Sequence, residues 1–591
     1  MNPSHQKLLH KAQALDRSGT PSDALAAYQA FLAREPNHAD AWSACAAKCL
    51  MLGRPDDARK ACETALGLDV NHLAARANLG RALMQLGQLD QAENHLSAVL
   101  KIDGQRLDAQ LFWAECKLYR RDLDGAQSAL EAAGQQVPIQ GPLQSHHAEL
   151  WGILSLGMFE LRRFSQAAQA CEKALQIDPR NFTAKANLGS IRMAEGRLTE
   201  AEKVFGSLVA AHPHRERGRL LWITCLSRMS DLLRADQEIA KVIRQAPKDS
   251  TVHKSVLATH YTHGRWAEYL AEIERFRKVD PASPQADYEH SFLELLSGEL
   301  PRGWNRYEAR LKLALGAEPP RTFTAPTWDG APFAGKTLLL WAEQGLGDTL
   351  MFVRYLPMVK ALGGTVILEA QSALVHLVAT CDGADAILPA GTPLPAFDIQ
   401  LPLMSLPRVF QTDLATIPAE IPYLDVPERV PHQSAILERL ALAEGRARIG
   451  LVWAGRPEYG RDFERSIPAT SLAPLGALEG VTWYSLQVGG QEAPPLPGLI
   501  DLAPLLGDFS DTAYALSGMD LLITVDTSVA HLAGALGIPT LLLLPFQPDW
   551  RWLLDRSDSP WYPSLHLYRQ PVYGDWASVI CQVIEDLSQG A

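Results

Sequence analysis

A carboxylate preceded by two glycines is the first feature of this 591-residue chain whose residue types could do chemistry. Gly345, Gly347 and Asp348 lie between an apolar run ending at Trp341 and a helical stretch starting at Phe352. Glycines let a bound group approach the backbone, and a carboxylate at the end of a strand can take a proton from a hydroxyl. The same aspartate can instead cap the following helix, and the pattern leaves both readings open. A second turn carries Asp526, Thr527, Ser528 and, one helical turn on, His531. Hydroxyls and amides at a helix amino terminus form a natural anion seat, with His531 on the face of Thr527 as a further donor. A capped helix with a structural histidine accounts for the same residues.

One motif is rejected on its setting. Gly330 to Thr337 satisfies the P-loop pattern letter for letter. A P-loop follows a strand and opens a helix, so that its amides face phosphate. Here prolines and a tryptophan precede the motif and the strand comes after it, which argues against nucleoside triphosphate hydrolysis.

The elements that must hold these turns are apolar strands alternating with helical stretches. The strands are expected at 337–341, 365–369, 449–453, 482–486, 521–525 and 540–544. Such alternation means a parallel α/β fold, in which ligands bind at the carboxyl ends of the strands. A proline-rich stretch at 313–330 marks the boundary with the first part of the chain.

The first 312 residues have a different pattern. Gly19, Gly53 and Gly87 recur every 34 residues, each followed five residues later by an alanine: Ala24, Ala58 and Ala92. After Arg121 and Ala126, an insertion at 137–143 shifts the phase by seven, and the period resumes at Arg162, Gly196, Ser230, Gly264 and Gly298. Pro179, Pro213, Pro247 and Pro281 keep the same spacing. Each period reads as two amphipathic helices: glycine turns the chain, alanine admits a close crossing, and proline ends the second helix. Hairpins of this kind must stack to bury their apolar faces. Trp42, Phe112 and Trp222 then read as packing between helices. The segments 75–83 and 184–191 resemble the tetratricopeptide (TPR) consensus, which implies about nine hairpins and a groove for a protein client. Asn78 and Asn187 share one repeat position, which resembles the asparagine ladder of the eukaryotic O-linked N-acetylglucosamine transferase and marks them as candidate client-binding residues. Only two hairpins carry it, so a specialised client is expected rather than a general peptide groove.

Composition narrows the classes further. With 47% hydrophobic and 21% charged residues, the chain is ordinary for a globular protein and long enough for several domains. A net charge of −12 argues against nucleic acid or an anionic membrane as the main partner. The polar amino terminus and the lack of a long apolar run lead us to expect a cytoplasmic protein with no membrane insertion. Cys45 and Cys49, one helical turn apart, read as buried small hydrophobes or, less simply, as a shared metal site.

Six stretches together resemble the heptosyltransferase-related glycosyltransferases, family nine, and especially bacterial proteins in which that domain follows a TPR array. They are 341–348, 450–455, 465–468, 508–512, 526–537 and 548–556. The resemblance implies a GT-B architecture of two Rossmann-like lobes after an all-α TPR superhelix. The expected boundaries are 1–312 for the array, 313–335 for a linker, 336–430 for a shortened acceptor-side lobe and 431–591 for a nucleotide-sugar donor lobe. By this resemblance Asp348 is the catalytic base. Gly345, Gly347, Gly455, Arg465, Asp526, Thr527, Ser528 and His531 are the donor-binding set. No cofactor and no metal are expected, since no Asp-x-Asp triplet follows residue 313. The function implied is a cytoplasmic protein O-glycosyltransferase, with flagellin as the client suggested by the TPR-containing flagellin glycosyltransferases and a CMP-activated nonulosonic acid such as pseudaminic acid as donor. The alternatives are an O-linked N-acetylglucosamine transferase-like enzyme using a UDP-sugar, a glycan-directed heptosyltransferase-like enzyme, and an adaptor with an inactive transferase domain.

Overall fold

The computed structural model describes residues 3–18, 20–134, 142–313, 321–456 and 461–589. The chain forms two compact units, Met1–Ala246 and Pro247–Ala591.

The first unit is a run of seven helical hairpins among the described residues, from Pro3–Ser18 to Leu232–Gln245. The repeat signal corresponds to a backbone conformation. Gly53, Gly87, Arg121, Arg162, Gly196 and Ser230 all have positive φ, between 57° and 77°, just past the first helix of their hairpin. A left-handed residue there lets the chain leave the helix with its last carbonyls bonded. The alanine five residues on is buried in each of these hairpins. Gly19 and residues 137–141 of the insertion lie outside the described residues. Phe112 is buried as expected. Burial pushes the Cys45 thiol up to about 12, which keeps it protonated and hydrophobic.

The two asparagines make bonds within the array. Asn187 is buried, and its amide nitrogen donates to Gly152 O at 2.8 Å and to Ser155 Oγ at 2.9 Å. Asn78 donates in the same way to Ser43 O at 3.3 Å. Both amides tie one hairpin to the one before it. A buried amide must find a partner, and for Asn187 the neighbouring helix supplies it; Asn78 is half-buried.

The second unit begins with two more hairpins, Ser250–Thr262 with Trp266–Val279 and Pro284–Leu296 with Leu300–Tyr307. The compact unit thus starts at residue 247, not 313, because these hairpins share a core with the sheets. Next comes a four-stranded parallel sheet of β1 (Thr337–Trp341), β2 (Thr365–Ala370), β3 (Ala386–Pro389) and β4 (Ile399–Pro402), in the order β3-β2-β1-β4. A six-stranded sheet completes the unit with β5 (Ala447–Val452), β6 (Val481–Ser485), β7 (Ile500–Asp501), β8 (Leu521–Val525), β9 (Thr540–Leu544) and β10 (Leu565–Arg569). Its order, β10-β9-β8-β5-β6-β7, is that of a doubly wound sheet whose direction of growth reverses between β5 and β8. The six expected strands are present within two residues; β3, β4, β7 and β10, short or less apolar, are additional. Gly330 and Gly335 turn the chain into β1 at φ of 95° and 77°, and no helix opens there.

Trp304, 1% exposed, joins the hairpins to both sheets. Its indole meets Phe352 of the first sheet region and Trp550 and Trp561 of the second edge to face, at 5.2 to 6.3 Å. Its Nε1 donates to Thr412 O at 3.1 Å. The described part of the expected linker is also structured: Trp328 N donates to Gln400 O at 2.8 Å, and the indole packs on Phe333 and Phe410. Residues 326–333 therefore extend the first sheet region. Among the described residues no helix is long and apolar enough to cross a membrane.

The turn geometry gives a direct expectation. Gly196→Ala places a Cβ at φ 74° and is expected to lower stability by about 1 kcal/mol. Arg162→Gly, at φ 59°, is expected to be neutral or stabilising. Urea unfolding of the full chain measures both.

Candidate functional site

Three turns at carboxyl ends of strands carry the candidate residues. Ala342 to Asp348 follows β1, Trp453 to Gly455 follows β5, and Asp526 to Ser528 follows β8. In the larger sheet the last two flank the point where strand order reverses, the position at which open parallel sheets bind ligands.

Asp348 opens the helix Leu346–Phe352, and its Oδ2 accepts from Gly345 N at 2.7 Å. The capping reading is therefore correct as geometry, but it uses only one oxygen. Oδ1 pairs with Arg551 Nη2, 203 residues away in the chain. Burial pushes the Asp348 carboxyl up, against the pull of Arg551 and the Gly345 amide; Asp549 adds to the rise and Arg310 opposes it. Arg551 is itself buried, lies over the Trp550 ring at 4.2 Å and gives Nη1 to Asp549 at 2.6 Å. Its Nε has no hydrogen-bond partner among the described residues. Arg551 is thus the cation between the two sheets' turns.

Gly347 is required for close approach. A Cβ at this position would lie 2.7 Å from His531 Cδ2 and 3.5 Å from Ser528 Cα. The helix Leu346–Phe352 thus rests directly on the helix Ser528–Leu536. His531 is 4% exposed, stacks on Trp552 at 5.3 Å and shares a hydrogen bond through Nδ1 with Tyr562 OH at 2.9 Å. Burial, then the cations Arg551, Arg354 and Arg465, holds its pKa well below the ordinary value, so the ring is neutral at pH 7. Its position is a packed one beneath the turn.

Thr527 is the N-cap residue of Ser528–Leu536, with extended backbone and no side-chain capping bond. Its Oγ1 is buried without a partner among the described residues. Arg465 Nη1 donates to Asp526 O at 2.8 Å, and its Nε pairs with Asp462 at 3.0 Å. Gly455 sits under this arginine: a Cβ there would fall 2.3 Å from Nη2. Burial, with the nearby Asp549 carboxylate, pushes Asp526 up to about 6, while Arg465, Trp552 and Arg551 oppose the rise. Arg465, Asp526, Thr527, Ser528 and Gly455 thus share one edge, and Asp348 reaches it through Arg551.

Beside this edge a cavity of about 290 Å³ opens between the second sheet and the last two hairpins. Arg465, Asp526 and Asp549 line one side; Lys254, Tyr261, Tyr269, Glu289 and Phe292 line the other. Tyr261 OH donates to Pro548 O at 2.9 Å, and Thr262 Oγ1 to Glu464 at 2.9 Å. The residue-by-residue reading did not single out Arg551 or Asp549 and named no residue of the hairpin wall. One signal was in the sequence: five residues after Gly264, where earlier hairpins carry alanine, stands Tyr269.

Comparison with known proteins supports the repeats. Models described as tetratricopeptide repeat match residues 9–69, 50–111 and 158–221. The chain is 25% identical over 500 residues to Protein FlbA of Caulobacter vibrioides, covering 78% of this chain and 81% of that one. Among solved structures, Pseudomonas aeruginosa pilF is 17% identical with a TM-score of 0.32, over 38% of this chain and 97% of its own. YrrB, described as a TPR protein with an unusual peptide-binding site, is 16% identical with a TM-score of 0.27, over 33% of this chain and 96% of its own. The first half of the chain carries tetratricopeptide repeats, and a region of parallel sheets and helices lies after them.

This geometry sets two expected outcomes. Gly347→Ala is expected to cost roughly 1–3 kcal/mol in chemical unfolding, because the methyl group displaces His531. Asp526→Asn tests the raised carboxyl. A carboxyl whose folded pKa exceeds its unfolded one binds the proton more tightly when folded, so it lowers stability as pH rises from about 4 to about 6 and beyond. In chemical unfolding the variant is expected to match wild type in stability below pH 4 and to exceed it above pH 6, by roughly 2–3 kcal/mol at most.

Proposed function

We propose that the chain is a protein O-glycosyltransferase of GT-B type, whose repeats capture a protein client and whose α/β region transfers a sugar from a nucleotide sugar to Ser or Thr. The observation that carries this reading is the convergence of a carboxylate held by Arg551, Asp348, and a helix amino terminus, Thr527 and Ser528, where Gly347 packs against Ser528 and His531. Glycosyl transfer needs a base for the acceptor hydroxyl proton and positive potential for the departing phosphate. Asp348 supplies the first. The amides of the turn, the Thr527 hydroxyl, unpartnered among the described residues, and Arg465 supply the second. The glycosyl–phosphate bond breaks as the hydroxyl oxygen attacks, Asp348 takes the proton, and the nucleotide leaves with the electron pair. Fixed arginines and amides answer the phosphate charge, so the scheme needs no metal. His531, neutral and packed, orients the turn from below.

The finer identity rests on the sequence resemblance: flagellin as client and a CMP-activated nonulosonic acid such as pseudaminic acid as donor, in the cytoplasm. Among enzymes, a UDP-sugar donor or a glycan acceptor competes with it. Outside them, an adaptor without activity is favoured by one observation: both Asp348 oxygens are already engaged.

Intact-mass measurement of flagellin co-expressed with the protein and nonulosonic acid synthesis genes decides among these. The expected result is a glycan mass increment with wild type and a loss of at least a hundredfold with Asp348→Asn. Modification at wild-type level by Asp348→Asn removes Asp348 as base, and an unmodified client beside an active control enzyme removes the flagellin assignment. A rise in melting temperature with CMP but not UDP, GDP or ADP identifies the donor base, since a bound ligand stabilises by mass action.

A further inference from the structure

The last two hairpins depart from the rest of the array on the side that lines the cavity. Glu289 stands nine residues before Gly298, as Asn78 stands nine before Gly87 and Asn187 nine before Gly196. In those two hairpins this position ties neighbouring helices together. In the last it holds a carboxylate that lines the cavity, fixed by Tyr269 OH at 3.1 Å and Gln285 Nε2 at 2.7 Å. Tyr269 occupies the alanine position, and Phe292 corresponds to Ala258 of the preceding hairpin, six residues before the turn. Tyr269, Glu289 and Phe292 thus face the cavity.

The charges on the wall are unequal in their commitments. Arg461 pairs with Glu464, and Arg465 with Asp462. Lys254 lines the same cavity, is exposed, and acts on Glu289 through its charge without forming a close ion pair among the described residues. Its ammonium is available to an anionic group, whereas Glu289 and Asp526 accept from hydroxyls. Phe292 adds an apolar wall. A volume of about 290 Å³ lies at the lower end of the range for ligand pockets, room for one sugar ring rather than a whole nucleotide sugar.

We propose that this cavity seats the glycosyl group of the donor, and that Lys254 and Glu289 of the last two hairpins select an acidic, hydroxyl-rich sugar. The assignment rests on the nucleotide-sugar reading above. With the phosphate against Asp526 to Ser528 and Arg465, the sugar enters the cavity, its carboxylate meeting Lys254 and its hydroxyls Glu289. These two hairpins then belong to the donor site and not to the client groove.

Titration calorimetry on the full chain tests this with CMP, CMP-N-acetylneuraminate, UDP, UDP-glucose and UDP-glucuronate. For the base that wild type accepts, the acidic-sugar conjugate is expected to bind more tightly than the bare nucleotide. Lys254→Ala, at an exposed side chain, is expected to lose on the order of tenfold in affinity for that conjugate alone, and Glu289→Gln several-fold. Variants that bind the conjugate as wild type does, or that lose the bare nucleotide equally, overturn the sugar seat while leaving the donor reading intact. Wild type that binds none of the five overturns both.

Discussion

The second unit depends on an indole buried where three pieces of chain meet. Trp304 comes from the last hairpin and packs on aromatic rings from both sheet regions. Edge-to-face aromatic pairs add about 0.5–1.5 kcal/mol each beyond the area they bury, and the indole N–H finds a carbonyl. With this contact in place, the two sheets present their carboxyl edges to each other and the hairpins close one side. Arg354 reinforces the arrangement from beneath, spanning Met351 O, Trp561 O and the Tyr423 hydroxyl.

Such a frame lets the protein hold charges where water would otherwise be needed. Asp348, Asp526, Glu289 and Glu343 are all pushed toward the protonated form by burial. Arg310 and Arg551 offset part of that cost, Arg310 pairing with Glu343 at 2.6 Å. Buried charge clusters of this kind reduce stability, and perturbed groups are enriched at functional sites. Arg551 is central because one guanidinium serves Asp348 and Asp549 together, so that the turn after β1 and the wall of the cavity share a single counter-charge.

The array itself shows how one repeat position changes use. Left-handed turns recur through the hairpins whether the residue is Gly196, Arg162 or Ser230, because the turn is a backbone requirement that glycine eases but does not own. The inner-face position of Asn187 serves cohesion in one hairpin and, as Glu289, faces a cavity in another. The difference arises from what lies opposite: a neighbouring helix in the first case, the edge of a sheet in the second.

Local features were legible in the residues alone. The 34-residue spacing marked the turns, the apolar runs marked β1, β8 and β9 to the residue, and the setting of Gly330 to Thr337 showed that no phosphate loop forms there. These features arise from propensities and periodicities that act over a few residues. The start of the second unit at residue 247, the inward-tied amides of Asn78 and Asn187, and the pairing of Asp348 with Arg551 were decided by tertiary structure. Each depends on which distant surface a side chain meets, and spacing along a chain carries no record of a contact 203 residues away. The sequence alone determined which turns could bear chemistry; packing around Trp304 decided which of them share a site.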